Sequence, residues 1–286
     1  YKTAKALGLT EIDGVGMSLE VTPPLFVERL ALHTEKPRGG LLTLLDNPPL
    51  EDAASARVPA GTLAFARARI APPGEAFDRL LQTLKAALPA ADMNAIQGTL
   101  QEMRRSCGFD VRSEFLQSLG GTVSSTLSIG PDPAHPDLTY DWALADRALC
   151  ANCIEKTLST TARTGGRPFT RQWMEGAEIF LLDLEGWNRC MPAPLPQSLP
   201  PLAFGIRGGA LVLANHPEVV AGLRPGDQPL PEDVRLLLGS LPKDCWAISY
   251  ADLGGILGLA LETLPPKAAG QIPPFLQAVL KGEKKL

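Results

Sequence analysis

The chain has no large excess of charge of either sign: 27 Lys and Arg stand against 31 Asp and Glu, a formal net charge of -4. Binding to a phosphate backbone needs clustered Lys and Arg, so this balance argues against nucleic acid as an obligate partner. The one basic cluster, Lys281, Lys284 and Lys285, reads as a solvated tail. Long hydrophobic runs are missing as well. A membrane helix needs about 20 apolar residues in a row, and the most apolar helical run, Gly254 to Leu261, is far shorter. No transmembrane segment is expected, and no stretch reads as a signal peptide. The chain opens on Tyr1, which fits removal of an export signal and fits a truncation equally well.

Reactive residues are also sparse. The three histidines, His33, His135 and His216, are scattered, and only one CxxC is present. Structural zinc wants four ligands in closely spaced pairs, so a zinc site recruiting Cys107, Cys190 or Cys245 is disfavoured. No GxSxG elbow, no phosphate-binding GxxxxGK[ST] and no GxGxxG after a strand occurs. No cofactor is expected, no catalytic residue stands out, and the enzyme question leans to no.

What the chain has in quantity is proline and glycine, 27 of each among 286 residues. Proline at roughly twice its usual share of about 5% predicts many short elements joined by stiff turns. The length allows one continuous domain or two regions, 1-130 and 131-286, each able to bury a core.

The pattern along the chain is mostly one of hairpins. Leu9 to Val21 and Leu25 to Thr34 read as a long hairpin broken at Pro23-Pro24, and Ala60 to Ile70 as a strand. Leu63 and Phe65 share one side of that strand and Ala64, Ala66 and Ala68 the other. Phe77, Leu80, Leu81, Leu84 and Leu88 stand at helical spacing, and a second helix starts near Asp92. Val111 to Leu119 is a short third helix, followed by the strand Thr122 to Ile129. The organising stretch is Asp137 to Glu185: a strand with Leu138, Tyr140, Trp142 and Leu144 on one face, then a helix, then the hairpin 169-184. Residues 186-201 hold five prolines and read as linker or loop. A further hairpin turns at Gly208-Gly209 into the helix Pro217 to Leu223; Cys245 to Ala251 is a strand, and two C-terminal helices follow. About eleven strands in Gly-turned hairpins, with helices grouped between them, predict an α+β fold: a mostly antiparallel, curved sheet with helices packed on one side. Weaker strand-then-helix openings near 61-88 and 243-264 suggest an internal repeat.

Cys150 and Cys153 form the sharpest chemical signal. They follow a strand and open a helix, where a helix N-terminus lowers a thiol pKa, so they are the candidate redox pair. No aromatic precedes Cys150 and the surroundings are hairpins, so a structural disulfide and, above all, two ordinary helix thiols are the better-supported readings. Asp146 and Asp252 each close a strand before a helix, where capping is the expected role. Trp142, Trp173 and Trp187 are the candidate ligand or contact surface; core packing is the default for a strand tryptophan, while Trp187 in the Pro-rich stretch is the exception, where an exposed aromatic would mark a contact surface.

Three groups of residues together resemble a known family. These are Gly8-Leu9 with Ile12, Val15 and Gly16 leading to Gly40-Leu41-Leu42; Gly108-Phe109-Asp110 with Phe115-Leu116 and Leu119-Gly120-Gly121; and the Asp146 strand end feeding a helix with Glu155-Lys156 and Leu158. The pattern is similar to that of a bacterial family of exported, repeat-containing proteins known as a domain of unknown function. The resemblance implies a periplasmic or envelope location and supplies no catalytic residues. The expected function is a non-enzymatic binding or structural module whose partner is an unidentified protein or apolar ligand. The alternatives are a lipid or lipoprotein carrier enclosing an apolar cavity, and a thiol-disulfide protein using Cys150 and Cys153.

Overall fold

The computed structural model describes residues 2-22, 25-34, 38-50, 57-130, 132, 135-163, 166-190, 195, 201-222, 228-230, 232, 235, 245-252, 254-256 and 258-259. The Pro23-Pro24 break, most of residues 231-238, for which the sequence pattern predicts a helix, and the end of the chain lie outside them. A short helix α1 (Lys2–Ala6) leads to the hairpin β1 (Ile12–Thr22) and β2 (Leu25–Thr34), which forms a two-stranded sheet of its own. The apolar run at Leu41 winds as a 3-10 helix, Gly40–Leu45.

The centre of the molecule is an eight-stranded antiparallel sheet. After the two-residue strand β3 (Arg57–Val58) come β4 (Thr62–Arg69), helices α2 (Pro73–Ala87) and α3 (Ala90–Cys107), a wide helical turn over Val111–Leu116, β5 (Leu119–Ser128) and β6 (Asp137–Leu144). Helix α4 (Arg147–Arg163), the hairpin β7 (Phe169–Met174) and β8 (Ala177–Leu182), and helix α5 (Leu184–Cys190) follow. Then come the hairpin β9 (Ala203–Arg207) and β10 (Ala210–Ala214), helix α6 (Pro217–Ala221), β11 (Gln228–Pro229) and β12 (Ala247–Ala251). The order across the sheet is β12-β4-β5-β6-β10-β9-β8-β7, so strands on both sides of residue 130 share one hydrogen-bonded layer. The α+β class and the antiparallel hairpins are as the pattern predicts.

Strand alternation sorts the side chains. Register places Trp142 opposite Leu211 and opposite Val123, so these three share one face, called the front. Helix α4 covers the front of the β6-β10-β9-β8 half: Cys150 packs with Leu119 and Leu211, and Ile154 with Phe169 and Phe180. Helix α3 packs on α4 in turn. The five-residue α6 lies on the back, where Val219 and Val220 join Ile179, Ala203, Val212 and Ala214. A separate back cluster, Leu50, Val58, Phe65, Leu230 and Ile248, closes the β12-β4 end. The long helix thus lies on one face as expected, and the short α6 is added on the other.

Candidate functional site

Asp146 begins the site by starting α4: its carboxylate accepts a hydrogen bond from the Leu149 N–H at 2.9 Å, the capping role the sequence indicates. From there α4 lays Ile154 over an aromatic trio. Phe180 stacks on Phe204 with centroids 5.2 Å apart, and Phe169 meets both edge-on at 5.7 and 5.1 Å. Such pairs add about 0.5–1.5 kcal/mol each beyond their burial, so this trio fills and fixes the space under the helix.

The ladder between β8 and β9 consists of only two pairs, Phe180 with Phe204 and Leu181 with Ala203. Next along β9 stands Gly205, where an added Cβ would lie 2.8 Å from the Glu178 carbonyl oxygen and 3.0 Å from Val220. At this end of the hairpins a cleft of about 280 Å³ opens between α4 and the β7–β8 turn. Ile154, Phe180 and Ile206 make its apolar floor, and Trp173 and Arg147 stand at its mouth. Trp173 is 69% exposed, the largest side chain among the exposed apolar residues described.

Charge in the cleft is unevenly partnered. Arg171, whose guanidinium lies 5.5 Å from the Phe180 ring centroid, joins Glu178 at 2.9 Å and also Glu155, so both carboxylates of the cleft are held by one cation. Arg207 donates to the Val219 carbonyl at 2.8 Å. Arg147, the first residue of α4, directly follows the capping Asp146, is exposed, and makes no hydrogen bond or ion pair among the described residues.

The structure separates the residues singled out by sequence. Trp142 is half-buried in the front core and its Nε1–H donates to the Gly120 carbonyl at 2.8 Å. Trp187 lies in α5, not in an open loop, and is half-buried there. The turn at Asp183 explains this, since its carboxylate accepts from the Gly186 N–H at 2.9 Å and starts a helix where the prolines suggested none. Of the three tryptophans, Trp173 alone reaches the cleft.

Cys150 and Cys153 are free thiols, 0% and 1% exposed. Burial pushes both thiols up, Cys153 to about 11, with the Glu114 carboxylate adding to the effect. A hydrogen bond with Ser118 opposes the rise at Cys150. The lowering expected at the start of a helix is outweighed because both sulfurs turn into the core. This is the reverse of the depressed, accessible thiolate that exchange chemistry uses.

One association lay beyond sequence reasoning. Asp137, 4% exposed at the start of β6, hydrogen-bonds His216 Nδ1 at 2.7 Å. Asn215 beside it accepts from the Leu138 N–H and donates to the Pro136 carbonyl, both at 2.8 Å. The 79-residue separation leaves no local signal, and no hydroxyl is hydrogen-bonded to His216 among the described residues. The pair therefore clamps the β10–α6 corner to β6. Among the described residues no group of three or more His, Cys, Asp and Glu is placed to hold a metal, and no helix is long and apolar enough to cross a membrane.

The fold is thus an open antiparallel sheet with helices on its faces and a small cleft where one ladder stops. Compared with protein families, curated proteins and solved structures, the chain matches none.

Proposed function

We propose that the chain is a non-enzymatic binding module that takes a compact, largely apolar ligand in the cleft between α4 and the β7–β8 hairpin. The observation that carries this reading is Trp173, left 69% exposed over an apolar floor. An exposed indole of this size costs solvation unless something covers it, and aromatic side chains of this kind anchor ligands and partners. The volume of about 280 Å³ is near the small end of ligand sites, of roughly 300–1,000 Å³. The envelope location implied by the family resemblance belongs to the same proposal; recovery only with cytosolic markers on cell fractionation would remove it.

The test uses N-phenyl-1-naphthylamine, an uncharged apolar dye that brightens when it leaves water. Saturable binding to the native chain is expected, lost in Trp173→Ala and in Ala151→Trp, which fills the cleft from the α4 side. Binding that both variants leave intact would refute the cleft as the site.

A further inference from the structure

We infer that the ligand of this cleft is a compact apolar acid: an aromatic or aliphatic body bearing one carboxylate or sulfonate, with the anionic group paired to Arg147. This rests on the binding reading above and adds the ligand's charge.

Three arginines stand in or beside the cleft. Arg171 is neutralised by Glu155 and Glu178, and Arg207 is tied by its Nη1 to the Val219 carbonyl. Arg147 stands at the mouth with no ion pair or hydrogen bond among the described residues. The two cleft carboxylates are already taken by Arg171, so neither is left over to bind a cationic ligand. A guanidinium offers paired N–H donors in a plane that fits a carboxylate or sulfonate. The Trp173 indole and the floor of Ile154, Phe180 and Ile206 line the same cleft. A ligand that covers the indole and reaches the mouth therefore meets apolar surface along its body and, at its end, Arg147, which has neither a hydrogen bond nor an ion pair among the described residues. The small volume limits that body to about three rings or a short chain.

Two dyes of nearly the same shape separate charge from apolar contact: 8-anilinonaphthalene-1-sulfonate and its uncharged relative N-phenyl-1-naphthylamine. Each is titrated into the native chain and into Arg147→Gln and Trp173→Ala, with thermal unfolding confirming that each variant is folded. The expected result is a sulfonate dye bound about tenfold more weakly by Arg147→Gln, one charge-assisted contact being of that size. The uncharged dye should bind that variant as it binds the native chain, and Trp173→Ala should weaken both. Equal binding of the sulfonate dye to Arg147→Gln and the native chain would overturn the inference while leaving the cleft a binding site. So would an equal loss of both dyes in that variant, which marks a structural effect. Indifference of both dyes to Trp173→Ala would overturn the binding reading itself.

Discussion

Asp137 and His216, 79 residues apart, meet in a 2.7 Å hydrogen bond at the back of the sheet and fasten the end of the β9–β10 hairpin to the start of β6. Asp137 is 4% exposed, so deleting its partner leaves a buried carboxyl oxygen without that bond. We predict that His216→Ala loses about 1–3 kcal/mol of stability, read as a lower denaturation midpoint at unchanged slope. An unchanged midpoint would show that the pair is incidental.

The neighbouring back-face pair points the other way. Thr126 and Thr139 stand opposite each other on β5 and β6, and both buried hydroxyl oxygens lack a partner among the described residues. Valine keeps the β-branched shape and removes the desolvated oxygen. Thr139→Val is expected to raise stability by about 1 kcal/mol, since burying an unpaired hydroxyl costs about 1–3. A fall in thermal midpoint would mean that the hydroxyl has a partner after all.

The buried cysteines should be inert. With both thiols raised by burial and Cys153 up to about 11, Cys150 and Cys153 are expected to resist a thiol reagent at pH 8 in the native chain and to react on unfolding. Peptide mapping after alkylation assigns each residue. Rapid native labelling at either position would contradict the burial described here and restore the redox reading.

Acid stability should depend on Glu114. The Lys156 ammonium, with the Asp110 N–H second, holds its carboxyl below the ordinary glutamate value of 4.5. A carboxyl lowered in the folded state contributes stability above its unfolded pKa and loses it as pH falls through the folded value. Lys156→Met should therefore cost most stability above pH 4.5 and progressively less below it. A difference from the native chain that stayed constant down to the most acid point would exclude this origin.

The fold was legible where its signals are local. Period-two alternation set the faces of β4 and β6, and Asp146 read as a cap because capping needs only the next three residues. Helix α5 was missed because five prolines dominate the stretch that includes Trp187, while its starting signal is the single carboxylate of Asp183. The cleft was only partly legible. Trp173 could be named as a candidate, but the place of its strand β7 at the edge of the eight-stranded sheet is set by pairings between residues far apart in the chain. Arg147 had no sequence signal at all, since being unpaired is a property of its surroundings. Cys150 and Cys153 carry a redox spacing in the sequence, while their burial, 0% and 1% exposed, is set by packing that the spacing does not show.

The cleft is tested most directly through its tryptophan. The chain has four tryptophans, each giving one indole N–H signal in a nitrogen-proton correlation spectrum, assigned by Trp→Phe variants. During titration with 8-anilinonaphthalene-1-sulfonate, the Trp173 signal is expected to move along a saturable course. The Trp142 signal, tied to the Gly120 carbonyl at 2.8 Å, should stay in place. Binding of the dye with the Trp173 signal unmoved would contradict the account.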